Sequence, residues 1–276
     1  MTIAMVVALT LLAAFVAGAC GGQPQDPTPT ATTSAQSTSV PASPTSVPPS
    51  PTPTQGTEAP EAPGLMAAGA GLALPPGFGA NVFFVGLTSP TSMTFSPDGT
   101  LFVSQEDGAI VAIIDFDGDG RADGASGYAR GFTAPLGLVF HEGALYVSSR
   151  GSVTIIRDDD GDGQGDVIER IISGLPNGPH QNNGLAFGPD GMLYLTLGST
   201  CNACIEEDPR SATIMRFNPD GSGGEVFARG LRNVYDIAFH PLDGTLFGAD
   251  NGRDEEALGV PEELNLLVEG ADYGWP

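Results

Sequence analysis

From Gly86 to Phe247 apolar residues alternate with polar or small ones over short runs, as in Leu185-Ala186-Phe187 and Leu193-Tyr194-Leu195-Thr196-Leu197. A period of two sends successive side chains to opposite faces, so these runs predict strands. The runs sit in a cassette that occurs four times: Gly followed by Leu or Phe, an apolar-x-Phe step, an acidic-Gly turn, then Leu followed by Phe or Tyr. The copies begin at Gly86, Gly131, Gly174 and Gly230, and carry Phe95, Phe140, Phe187 and Phe239 at spacings of 45, 47 and 52 residues. That spacing suits one four-stranded blade and exceeds leucine-rich or ankyrin repeats. Glycine-rich turns recur too often after position 80 for a helix of ten residues to keep its period. The expected fold is all-β, a β-propeller of four-stranded blades with about four blades visible.

The 276-residue chain does not have this pattern throughout. Residues 3–19 are apolar and small and end Val16-Ala17-Gly18-Ala19-Cys20, the length of a signal segment rather than a membrane span. A run of small residues before a Cys resembles a bacterial lipobox, which makes Cys20 the expected lipidation site and residues 1–20 the leader, although no Lys or Arg precedes Arg121. Residues 23–63 hold 11 of the 24 prolines among Thr, Ser, Ala and Gln. Such a segment buries too little apolar surface to order itself, so residues 21–73 are expected to form a tether and residues 74–276 the propeller. The expected location is the outer face of a bacterial membrane, reached by the lipid anchor only.

Acids outnumber bases 33 to 10, a formal net charge of -23. With no basic stripe, nucleic acid is excluded as a partner, while neutral sugars and divalent cations remain compatible. Two loops 43 residues apart read D-x-D-x-D-G-x-x-D: Asp115, Asp117, Asp119 and Asp123, then Asp158, Asp160, Asp162 and Asp166. Carboxylates at alternate positions of a tight loop can converge on calcium, and Asp-Gly sequences also make plain hairpin turns; both readings stand. Cys201 and Cys204 form C-x-x-C without a second Cys pair or a nearby His, which predicts a local disulfide in an oxidising compartment rather than zinc.

Chemistry gathers from Pro179-His180-Gln181-Asn182-Asn183 onward, through Gly230-Leu231-Arg232-Asn233, Asp250-Asn251-Gly252-Arg253-Asp254 and Asp272-Tyr273-Gly274-Trp275-Pro276. In this order the motifs resemble the soluble pyrroloquinoline-quinone (PQQ) glucose and sorbosone dehydrogenases, a family of six-bladed propellers. The likeness runs from about Leu175 to Pro276 and is weaker, at blade level, before that. It implies that His180 is the general base that takes a substrate hydroxyl proton while hydride passes to the quinone. Arg232 would stabilise charge on the quinone oxygen and Asn233 would contact the cofactor. The carbonyls of Gly252 and Arg253 would hold the calcium that bridges to it.

This sequence departs from the family in having Pro179 where an acidic residue is common. It also stops at Pro276, before the blades that supply cations to the quinone carboxylates, so it reads as part of a longer propeller. The implied function is oxidation of a sugar or related alcohol or aldose, with electrons leaving to an external acceptor. The alternative is a non-catalytic, calcium-stabilised extracellular propeller that binds glycan or protein. His141 and His240 follow Phe140 and Phe239 and are expected as turn residues.

Overall fold

The computed structural model describes residues 66–67, 72–254 and 261–276, and among these it contains strands and turns but no helix. The leader, Cys20 and most of the expected tether lie outside the described residues. One boundary moves. β1 (Met66–Ala67) pairs antiparallel with β2 (Ala73–Leu74), so backbone pairing begins inside the segment expected as tether. The reason is compositional: after Pro63 no proline intervenes before Pro75, and the ladder donors that proline lacks are restored.

Four sheets follow in chain order. The first blade is β3 (Pro90–Phe95), β4 (Leu101–Gln105), β5 (Ala109–Ile114) and β6 (Gly124–Arg130). The second is β7 (Gly137–His141), β8 (Ala144–Ser149), β9 (Ser152–Arg157) and β10 (Val167–Ser173). The third is β11 (Asn182–Phe187), β12 (Leu193–Leu197), β13 (Thr213–Phe217) and β14 (Glu225–Arg229). The fourth has three strands, β15 (Val234–Phe239), β16 (Leu246–Asp250) and β17 (Glu263–Leu267). Each is an antiparallel meander, and the first strands β3, β7, β11 and β15 contact one another in series. This is a propeller array.

The cassette is legible in the packing. Its two glycines, at the cassette start and in the acidic turn, have positive φ in every copy, between 66° at Gly174 and 102° at Gly86, a conformation that side chains with a Cβ resist. Its aromatics meet across blade boundaries: Phe102 stacks on Phe140 at 5.8 Å, and Tyr146 and Tyr194 meet Phe187 and Phe239 edge-on at 4.9 and 5.0 Å. Leu145 and Ile156, Leu195 and Val153, and Ile214 and Leu231 fill the same boundaries. A blade therefore buries its apolar face on its neighbour, as a radial repeat requires. Phe95, in the first of the described blades, is 59% exposed.

The meander also sorts the loops. Connections into the first strand of each blade, and from its second to its third strand, reach one face of the array, called here the upper face; the other turns reach the lower face. His180, Ser199–Cys204, Arg232-Asn233 and Asn251–Asp254 are all on upper connections. Both Asp-rich loops, joining β5 to β6 and β9 to β10, are lower.

Candidate functional site

His180 is held by the residues that follow it. Gln181 donates from Nε2 to the Ala134 carbonyl at 2.7 Å. Asn182, wholly buried, donates from Nδ2 to Ser148 Oγ and the carbonyls of Ser149 and Ser152 at 2.7–3.1 Å, and its Oδ1 accepts the Gly151 N–H at 2.7 Å. These bonds tie the start of β11 to the second blade. His180 itself is half-buried, and its Nδ1 lies 2.7 Å from Ser199 Oγ.

The proton on that contact can be assigned. Ser199 has a single hydroxyl hydrogen, which it donates to the Cys201 carbonyl at 2.7 Å. Toward His180 it can only accept, so Nδ1 carries hydrogen and, in the neutral ring, Nε2 carries the lone pair. Burial, and then the neighbouring Arg232 cation, push the His180 pKa below its ordinary value. Both effects favour the neutral ring, the form able to accept a proton.

Arg232 reaches the same place from the next blade. Leu231 is buried in the core between the third and fourth blades and Gly230 turns with φ 72°, which fixes where the following residues point. The Asp250 carboxylate, its pKa raised by burial, accepts the N–H groups of Arg232 and Asn233 at 3.1 and 2.6 Å. The Arg232 side chain is buried. Its guanidinium donates from Nε to the Asn202 carbonyl, from Nη1 to the Asn251 carbonyl, and from Nη2 to Asn202 Oδ1 and Asp254 Oδ2, at 2.6–3.2 Å. Four of its five N–H bonds are thus committed.

The two groups are linked. The Arg232 carbonyl accepts the Ser199 N–H at 2.7 Å, and Asn233 Oδ1 accepts from Asn183 Nδ2 at 2.8 Å. Gly198 makes this approach possible, since a Cβ there would lie 2.6 Å from His180 Cβ and 3.0 Å from Asn233 Oδ1. Cys201 and Cys204 are joined as a disulfide, which closes the loop carrying both Asn202 and the Cys201 carbonyl. Ser199 and Asn202 were not singled out in the sequence as site residues, because a Ser and an Asn in a polar loop carry no period. The adjoining C-x-x-C was the only available signal.

Gly252 and Arg253 line a cleft of about 390 Å³ with Arg232, Gly230 and Trp275. The Gly252 N–H donates to Glu262 at 2.9 Å. The chain end folds over the Gly-Leu-Arg-Asn turn, with Trp275 N–H donating to the Gly230 carbonyl at 2.9 Å. Trp275 Nε1, in contrast, is buried without any acceptor. Asp250 and Glu263 also line the cleft, but Arg253 has no carboxylate within ion-pair distance among the described residues, and the guanidinium groups of Arg232 and Arg253 suit a planar, acidic, oxygen-rich group. The residues present fit PQQ in this respect.

The Asp-rich loops are elsewhere. Asp115, Asp117 and Asp123 in one, and Asp158, Asp160 and Asp166 in the other, bring carboxylate oxygens within 4.8 Å of one another. In each loop the first Asp accepts two glycine N–H groups: Gly118 and Gly120 at 2.8 and 3.0 Å for Asp115, and Gly161 and Gly163 at 2.7 and 2.9 Å for Asp158. Asp119 and Asp162 each accept from the residue two positions on, at 2.8 Å. Being lower loops, they face away from His180 and Arg232 and belong to no common centre with them. His240 is a turn residue pairing with Asp243 at 2.9 Å, whereas His141 ends β7 and stacks on Phe187 at 3.6 Å, a packing role beyond the turn expected of it.

Residues 86–267 match the family described as "Domain of unknown function (DUF7133)". Quinoprotein glucose dehydrogenase B of Acinetobacter calcoaceticus is 24% identical over 263 residues, covering 72% of this chain and 52% of that protein. The PQQ-bound aldose sugar dehydrogenase of Streptomyces coelicolor superposes with a TM-score of 0.59 at 25% identity, covering 69% of this chain and 63% of that one. The chain belongs to the DUF7133 family. Its propeller is similar to those of the soluble PQQ glucose and aldose sugar dehydrogenases. The soluble aldose sugar dehydrogenase of Escherichia coli, at 18% identity and a TM-score of 0.54 over 69% of this chain and 63% of that one, shares the fold. The chain spans about half the length of the curated relative from Acinetobacter.

Proposed function

We propose that this propeller serves a PQQ- and calcium-dependent dehydrogenase that oxidises a sugar or a related alcohol or aldose. The observation that carries the reading is the Cys201 carbonyl–Ser199–His180 chain, which leaves the Nε2 lone pair free beside a buried guanidinium on the same face. PQQ, when bound, supplies a two-electron acceptor for substrate hydride, and calcium supplies a Lewis acid. His180 Nε2 takes the proton of the substrate hydroxyl. Arg232 offers its remaining N–H to a developing negative charge, held in place by Asn202, Asn251 and Asp254 so that little reorganisation is needed. Asn233, held by Asn183, would contact the cofactor, and the carbonyls of Gly252 and Arg253 would hold the calcium.

Electrons leave to an external acceptor. Export and a lipid anchor at Cys20 complete the proposal, supported by the Cys201–Cys204 disulfide, which persists in oxidising compartments. The test is reconstitution with PQQ and calcium, scoring quinone binding by calorimetry and dye reduction over a panel of aldoses. His180→Asn should abolish turnover while quinone binding survives. Absence of both binding and turnover in the wild type sinks the reading, and turnover that survives His180→Asn removes the base.

A further inference from the structure

A second cleft opens on the upper side of the boundary between the first and second blades. It has a volume of about 330 Å³ and is lined by Arg130 at the end of β6, Arg150 in the β8–β9 turn and Arg170 on β10, with Thr133, Ser152 and Thr154 between them. The volume lies within the roughly 300–1,000 Å³ typical of small-molecule sites. No acidic residue lines it, although acids outnumber bases 33 to 10 in the chain. Among the described residues Arg157, Arg210, Arg216 and Arg232 have a carboxylate within 4.0 Å, whereas Arg130, Arg150 and Arg170 have none, as is also true of Arg121, Arg229 and Arg253 outside the cleft. The contrast is local: Arg210 reaches the Gly174 carbonyl at the cleft edge, and Asp208 neutralises it at 2.6 Å.

Three like charges lining one cleft repel one another, and carboxylates to offset them are abundant elsewhere on this chain. Their arrangement is favourable when an anion joins them, because guanidinium groups bind carboxylate and phosphate oxygens in bidentate pairs. The field of the remaining acids opposes an anion at long range, yet salt screens it beyond about 8–10 Å while the direct bonds persist.

The cleft also adjoins the His180 loop. Gln181 donates to the carbonyl of Ala134, next to Thr133, and Asn182 bonds Gly151, Ser149 and Ser152 in the cleft wall. We propose that Arg130, Arg150 and Arg170 form an oxyanion subsite for a saccharide bearing a carboxylate or phosphate, laid along the upper face toward His180. The saccharide part rests on the dehydrogenase reading, and the anion site itself does not.

The test is calorimetric binding to the whole chain without quinone or calcium, using trigalacturonate, glucose 6-phosphate, inorganic phosphate and neutral maltotriose. At about 0.15 M ionic strength, where the field of the distant acids is screened, trigalacturonate or glucose 6-phosphate should bind at least tenfold more tightly than maltotriose, and whichever binds names the source of the oxyanion. The triple change Arg130→Ser, Arg150→Ser and Arg170→Ser should lose that preference, with unchanged circular dichroism. Single Arg→Lys variants, which keep the charge and lose the fork, should fall between. His180→Asn should leave binding intact, which separates this subsite from the catalytic proposal. Equal binding of maltotriose, wild-type affinity in the triple variant, or binding of inorganic phosphate with neither saccharide would overturn it.

Discussion

Asn182 offers a direct test of how the His180 loop is anchored. Asn182→Ala removes four hydrogen bonds at a position with no solvent exposure, three donated to Ser148, Ser149 and Ser152 and one accepted from Gly151. Two amide protons serve three acceptors, so the donated bonds count as about two full ones. At about 1 kcal/mol net per neutral bond, with part of the 1–3 kcal/mol desolvation cost for the Gly151 N–H left without a partner, the loss should be about 3–4 kcal/mol. For a folded region of this size that is roughly 6–16 °C in Tm. Urea and thermal unfolding of wild type and variant measure it. Asn182→Asp sharpens the test, since the carboxylate still accepts from Gly151 but turns an oxygen toward the Ser149 and Ser152 carbonyls. Its folded pKa should be raised, so the stability it retains is present at low pH and is lost as pH rises through that value. A loss under about 1 kcal/mol for Asn182→Ala, or an Asp variant insensitive to pH, would refute the claim that these bonds fasten the loop.

Three further outcomes follow from the same geometry. His180 should titrate below its ordinary value by proton NMR, and Arg232→Gln should move it upward; because the folded pKa is depressed, the ring's contribution to stability is present above the unfolded value and lost as pH falls through the folded one. A His180 pKa at or above the ordinary value would be the contrary result. Ser199→Ala should abolish the single tautomer, so nitrogen NMR of the variant should show Nδ1 and Nε2 sharing the proton, with lower turnover in the reconstituted enzyme. Gly198→Ala should displace His180 and Asn233, costing on the order of 1–3 kcal/mol in stability and most of the turnover, whereas Gly143→Ala, with open space around it, should show only its backbone cost.

Much of the fold was legible because a blade repeats its chemistry. The positive-φ glycines and the aromatics that meet across boundaries recur at each copy, so pattern alone located them. The fourth blade's three strands and the early β1–β2 pairing were not legible, since a missing ladder partner and a two-residue strand leave no period. For the site, a single His, Arg and Asn were nameable only through their ordered motifs. The amides that hold them were visible as Gln181-Asn182-Asn183 and still unread, because a run of polar residues ordinarily means exposed loop, whereas here all three are buried.

The proton on His180 shows why the remainder is a matter of structure. Its assignment depends on a serine hydroxyl whose only hydrogen goes to a main-chain oxygen two residues later, inside a loop closed by the Cys201–Cys204 disulfide. The same loop gives Asn202 two acceptors for Arg232. One short connection therefore sets both the lone pair of the candidate base and the orientation of the candidate cation, from neighbouring blades. Neither effect requires a charged or reactive side chain in that loop, so composition and motif pass over it. The C-x-x-C that looked like local stiffening is, by these bonds, the element through which the two candidate groups are held to one geometry.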